Sequence, residues 1–365
     1  MNDMKPVSVL RRLTMVAAAL LITAPAAALL VTAPAAAGQG SREFRLSGRE
    51  VAVYNLAGEA RIVRGQGSDV VVRVTILGAD ADQLDIEVGP VDGAQTLRVI
   101  YPDDRIIYPE LGRGSRSTVQ VSRDGTFYGG RGRGGDRVEV RGSGRGLEAH
   151  ADLEIEVPAG KEFALYLAVG AADLRGVEGD FLIDMGSGHV TAQDIKGSLN
   201  IDTGSGHVSV LGVDGDVLVD TGSGRVEVED VRGGEINIDT GSGSVTGTNL
   251  TAAMVRVDTG SGPVELERVS SENVYIDTGS GSVRVELMED IENLVVDTGS
   301  GSVTVWIPEG AGAELEVETG SGGIDLDFPV QIRRASRDHV LGTIGDGRGR
   351  IRIDTGSGSV RLARR

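Results

Sequence analysis

Asp-Thr-Gly-Ser-Gly followed by x-Val begins at Asp202, Asp220, Asp239, Asp258, Asp277, Asp297 and Asp354. Two variants extend the series, Asp184-Met185-Gly186-Ser187-Gly188 and Glu318-Thr319-Gly320-Ser321-Gly322. Successive copies start 18, 18, 19, 19, 19, 20, 21 and 36 residues apart. A period that steady marks a structural repeat, each copy one supersecondary unit that cannot bury its apolar face alone.

Within one copy, Leu199, Ile201 and Thr203 alternate with polar residues, and so do Val208 and Val210. That period of two marks half-buried strands. The pairs Gly204 and Gly206, Gly222 and Gly224, Gly241 and Gly243, Gly260 and Gly262, Gly279 and Gly281, and Gly299 and Gly301 are the structural turn. Glycine reaches positive φ there without steric cost. Each unit reads as strand, tight corner, strand, looser corner. A chain of hairpins and a β-solenoid both fit this unit. The solenoid is favoured because the Thr, the two Gly and the Val recur in register, as residues do when coils stack in parallel about 4.8 Å apart. The expected class is therefore all-β, a β-solenoid resembling a parallel β-helix, with coils of about 18–21 residues and an irregular N-terminal β cap.

Along the chain, residues 1–37 read as a signal peptide. Lys5, Arg11 and Arg12 precede an apolar run from Leu13 to Val31, and Ala35-Ala36-Ala37 offers a cleavage site. No other stretch approaches the roughly 18 apolar residues a membrane span needs. Residues 38–101 read as degenerate coils and a cap, since an open solenoid end exposes core and strand edges. Residues 102–147, with Gly129-Gly130-Arg131-Gly132-Arg133-Gly134-Gly135 at their centre, read as a flexible Gly/Arg-rich insertion with a short hairpin around Thr118–Val121. Residues 148–365 read as the repeat domain, interrupted at 329–346, which accounts for the final spacing of 36.

The net charge is −18, and it becomes −20 once residues 1–37, with three basic side chains and one acidic, are removed. So acidic a body argues against nucleic acid, whose binding rests on phosphate neutralisation, and it leaves cations as candidate ligands. The absence of cysteine excludes disulfides, thiolate metal sites and a thiol nucleophile.

Asp-Thr-Gly-Ser resembles the aspartic-protease signature, in which two such loops bring two carboxylates together. Here it recurs once per coil, which is the pattern of a folding requirement. Stacked coils place Asp202, Asp220, Asp239, Asp258, Asp277 and Asp297 in a column whose neighbours repel by about 1 kcal/mol in a water-like dielectric. Two arrangements would offset this. Each carboxylate could accept backbone N–H groups of its corner in an Asx turn, or cations, calcium foremost, could bridge successive carboxylates as a metal ladder. His189 and His207 occupy one repeat position in adjacent coils and form a candidate metal-binding pair. No nucleophile–base pair or phosphate-binding loop stands out, so the reading is non-enzymatic, with no catalytic residue and no organic cofactor.

With its leader, the Val157-Pro158-Ala159-Gly160 turn, the Thr-Gly-Ser-Gly-x-Val coils and the ending Gly347-Arg348-Gly349-Arg350-Ile351-Arg352-Ile353-Asp354, the chain resembles the putative-adhesin family of bacterial exported proteins over about residues 44–363, except for the Gly/Arg-rich insertion, which departs from it. That family is a β-strand-repeat domain of unknown function. The resemblance implies an exported, non-catalytic adhesin or scaffold in the periplasm, at the cell surface or outside the cell. Its implied partners are envelope or surface proteins or polysaccharides. The alternative is an envelope sensor that binds another protein, and a polysaccharide-active β-helix enzyme is a more distant one.

Overall fold

The computed structural model describes residues 41–128 and 135–365. The leader at 1–37 and most of the Gly/Arg centre, 129–134, lie outside the described residues. Strands form where β-branched residues alternate with polar ones, and they pair one repeat apart in parallel. Leu199, Ile201, Asp202 and Thr203 face Val217, Val219, Asp220 and Thr221, which in turn face Ile236, Ile238, Asp239 and Thr240. Parallel pairing between equivalent residues makes the chain a β-solenoid and excludes a hairpin array. The described residues contain no α-helix, only two three-residue 3-10 turns. No helix among them is long and apolar enough to cross a membrane.

Each coil contributes one strand before the Gly-Ser-Gly corner, the first wall, and one after it, the second wall. The strand Val226–Ser242 shows the continuity, closing one coil and opening the next. Inward columns such as Leu199, Val217, Ile236, Val255, Val274, Leu294 and Ile351 are at most 1% exposed. Fully burying each such side chain stabilises by roughly 1.5–3 kcal/mol. Only 3% of the residues are aromatic, so these aliphatic columns fill the narrow interior.

The spatial order of coils departs from chain order at both ends. The strand Glu50–Arg64 lies between the coil Lys161–Arg175 and an outermost coil whose walls are Ala94–Ile100 and His150–Val157. A boundary at 101 or 148 therefore cuts through a coil. At the other end, the last strands in sequence, Gly349–Thr355 and Val360–Arg364, insert between the coil of Asn293–Thr298 and Val303–Ile307 and the coil of Ala313–Thr319 and Ile324–Leu326. The expected reason for the spacing of 36 was the insertion alone. In the structure the chain also skips one position in the stack and returns to fill it.

Antiparallel strands close the ends. Val70–Leu77 covers His150–Val157, with Arg42–Leu46 beyond it, and Asp85–Val91 covers Ala94–Ile100. At the far end His339–Ile344 covers Ala313–Thr319, and Gln331–Ala335 lies beyond it. The stretch 329–346 is thus largely a hairpin cap.

The expectation that 102–147 is flexible is corrected over its described part. Arg105–Ile107, Asp136–Arg141 and Arg116–Val121 form a three-stranded sheet of their own. Ile106, Tyr108, Val119, Phe127 and Val140 are buried in the common core. The apolar residues scattered between the glycines and charges supply enough burial to order the segment.

Candidate functional site

The outward position before each corner builds the most regular surface feature. Asp184, Asp202, Asp220, Asp239, Asp258, Asp277 and Asp297 follow one another in register, and Asp354 and then Glu318 complete the column. The six aspartates singled out from the sequence are therefore brought together as a ladder of strand-spaced neighbours, about 4.8 Å per step. The skipped coil places Asp354 beside Asp297, ahead of Glu318.

The Asx-turn expectation is not met. Among the described residues, none of these carboxylates accepts a hydrogen bond from a Gly-Ser-Gly corner. The adjacent buried threonines make that contact. The Thr278, Thr298 and Thr355 hydroxyls donate to the carbonyls of Gly262, Gly281 and Gly301 in the preceding coil at 3.3, 3.2 and 3.1 Å. Thr319 donates to Gly358 at 2.8 Å and accepts the Gly322 N–H at 2.9 Å. The physical reason is alternation: Thr points inward beneath the corner, whereas Asp, one residue earlier, points out of the wall. The corner glycines stack with almost no clearance. A Cβ on Gly206 would lie 1.6 Å from the Gly188 oxygen, and one on Gly204 would lie 2.6 Å from the Gly186 oxygen. Close approach of backbones, more than turn conformation alone, is what requires glycine.

No corner hydrogen bond offsets the crowding of the ladder, and partial burial against the wall, more than repulsion between neighbours, raises several of its carboxyls. Burial, and secondarily the Asp202 charge, push the Asp184 carboxyl up to about 7. Burial also raises Asp202. Burial followed by neighbouring carboxylates raises Asp220, Asp239, Asp277 and Asp297. Arg256, 3.8 Å from Asp258, and Arg352 partly offset the crowding.

Raised folded values mean that the folded chain holds these protons more tightly than the unfolded one. The stabilisation is complete below the unfolded carboxylate range, near pH 4, and is lost as pH rises through about 7 for Asp184. The melting temperature is therefore expected to climb when pH is lowered from about 8 to about 5. Asp184→Asn should raise it at about pH 8 by roughly 2 °C or more and lose that advantage near pH 4. Calorimetry across this range checks both, and a parent chain that is most stable near pH 8 contradicts the account.

The ladder has distinct ends that the repeat pattern does not reveal. Below Asp184 the column continues as Tyr166, Tyr54 and Arg98. The two tyrosine rings stack at 4.5 Å with 7° between planes, and Phe127 meets Tyr54 edge-on at 5.7 Å. Beyond Glu318 stands His339. These residues lie in the degenerate coils and the cap, where sequence spacing no longer gives the register.

His189 and His207 are adjacent, with ring centroids 6.5 Å apart; His207 Nε2 lies 3.6 Å from Glu227 Oε2, while Arg225 lies 3.4 Å from the other oxygen, Oε1. Among the described residues no group of three or more His, Asp or Glu converges on a position suited to a metal ion. A second column went unread in the sequence. Asp194, Asp230, Asn249 and Arg268 all adopt positive φ near 55°, with Gly212 at 70° between the first two. Asn249 Nδ2 donates to Asp230 at 2.7 Å, and Arg268 donates to Asn249. The signal was present as Asp, Gly, Asp and Asn at one repeat position, residue types that tolerate the left-handed region. They set the bend of the second wall.

Residues 194–363 match the family model described as Toastrack DUF4097. A search of curated proteins gives no match. Among solved structures, the chain is similar to a putative cell adhesion protein from Clostridium sporogenes ATCC 15579, at 9% identity and a TM-score of 0.18, over 89% of this chain and 100% of that one. It is also similar to a putative adhesin from Parabacteroides distasonis ATCC 8503, at 12% identity and a TM-score of 0.31, over 89% and 96% of the two chains. Neither likeness is close enough to carry a residue or a function across.

Proposed function

We propose, from the premise that residues 194–363 are a Toastrack domain, that the protein is a non-catalytic component of the cell envelope or cell surface, with its acidic wall serving adhesion or scaffolding. The observation that supports this is the column from Asp184 to Glu318, one carboxylate per coil on a rigid wall. A catalytic centre gathers different groups at one point and gives each a distinct environment. This wall repeats one group at a fixed interval, which suits many weak, simultaneous contacts to a repetitive cationic partner. The leader read at residues 1–37 supports export.

Protease shaving of intact cells, with a periplasmic control protein and lysed cells to establish that the chain is cleavable, tests the location. Cleavage with the control intact supports a surface adhesin. Protection of both supports an envelope scaffold. Recovery of the unprocessed chain in the cytoplasmic fraction contradicts the proposal.

A further inference from the structure

We propose that the solenoid stacks head to tail on a second copy of itself, joining strand edges of opposite charge. Each end of the stack presents an edge on each wall, and among the described residues the outer side of each edge pairs with no strand. On the first wall the N-terminal edge is Asp85–Val91, paired only with Ala94–Ile100. It carries Asp85 and Glu87, with Asp82 just before it, all exposed. The C-terminal edge on the same wall is Gln331–Ala335, paired only with His339–Ile344. All five of its residues are exposed, and Arg333 and Arg334 are among them, with Arg337 following.

On the second wall the signs are exchanged. Arg42–Leu46, with exposed Arg42 and Arg45 on either side of exposed Glu43, forms the N-terminal edge and is net basic. Ile324–Leu326, with exposed Asp325 followed by Asp327, forms the C-terminal edge. Of the four exposed large hydrophobic residues in the described chain, two lie on the first-wall edges: Val88 at 42% and Ile332 at 58%.

Charge on an edge strand ordinarily guards against pairing, and a single sign at both ends would do that. Opposite signs at the two ends repel head-to-head and tail-to-tail encounters and favour head-to-tail ones. Arg334 makes no ion pair among the described residues, so it is free to meet an incoming carboxylate. Other edge charges have partners within their own end: Arg333 with Glu314, Asp325 with Arg361 at 3.8 Å, Glu87 with Arg98 at 3.2 Å and Arg45 with Glu43 at 2.8 Å.

Strand direction agrees. Asp85–Val91 runs antiparallel to its wall, whereas Gln331–Ala335, two antiparallel steps from Ala313–Thr319, runs along it. Axial stacking would therefore pair these two edges antiparallel, with opposite charges facing across strands. The ends are also stepped in opposite senses. Beyond the outermost coil, the N-terminal end carries one strand on the first wall and two on the second. The C-terminal end carries two on the first wall and none on the second. With the first walls joined, the second-wall charges face each other across a gap of one strand, within reach of arginine side chains. The contact is heterologous and does not close on itself, so it grows a filament. The net charge of −18 opposes approach, but salt screens it beyond about 10 Å and leaves the contact pairs to decide.

Sedimentation velocity of the purified chain over a concentration series, with electron microscopy of the same samples, tests this. The parent chain should show a several-fold rise in mean mass and unbranched rods. Arg333→Glu/Arg334→Glu, with both first-wall edges acidic, and Asp82→Lys/Asp85→Lys, with both basic, should each stay single, their folds verified by circular dichroism. An equimolar mixture of the two should assemble again, because each reversed edge then meets its complement. A parent chain that stays single throughout, assembly that survives either reversal, or a mixture that fails to assemble overturns the proposal. The result does not depend on where in the cell the protein resides.

Discussion

Gly224→Ala is expected to lower the unfolding free energy by about 3 kcal/mol or more. Gly224 has φ +144°, and a Cβ there would lie 1.7 Å from the Gly206 carbonyl oxygen. Both the conformation and the space are wrong for alanine, and relief by local shift is blocked because the neighbouring coil is backbone and is itself stacked on another. Gly224 also donates its N–H to the Ser242 carbonyl of the following coil at 3.1 Å, so a displaced corner loosens two coil contacts at once. Gly323 provides the control, since a Cβ there meets nothing within 4 Å. Gly323→Ala should remain within about 0.5 kcal/mol of the parent. Chemical denaturation of both variants checks the contrast. Equal stability would mean that the corners are not stacked at the described distance.

The solenoid and its acidic ladder were legible in the sequence because one physical cause sets both. Parallel stacking repeats the same environment every coil, so the same residue answers it each time: Ile or Val inside, Asp outside, glycine where backbones touch. What Asp and Thr do individually was less legible. Both sit beside the corner, and only the inward or outward sense of each position decides that Thr203 reaches the Ser205 carbonyl, at 3.5 Å, while Asp202 faces out. The alternation of Ile201, Asp202 and Thr203 already carried that sense.

The ends were hidden for a different reason. The outermost coil takes its two walls from distant segments, Ala94–Ile100 and His150–Val157, and no local spacing reports such a pairing. Residues 102–147 misled through composition. Their glycines and arginines suggest a solvated loop, yet Tyr108 and Phe127, at 3% and 4% exposure, anchor them to the core.

Threading of the C-terminal coil is the point on which the order of the ladder and the closure of the far end both depend. It can be tested in a chain that has no cysteine of its own. Arg352 is the register neighbour of Val295 on one side and of Glu316 on the other. Val295 and Glu316 are thus two strand steps apart, about 10 Å, beyond the roughly 7 Å limit for a disulfide. Under mild oxidation, Val295→Cys/Arg352→Cys and Glu316→Cys/Arg352→Cys should cross-link nearly completely, and Val295→Cys/Glu316→Cys should stay reduced, as read by non-reducing electrophoresis and peptide mass mapping. Efficient cross-linking of Val295→Cys/Glu316→Cys, with Val295→Cys/Arg352→Cys reduced, would mean that the coils stack in chain order and would contradict the account.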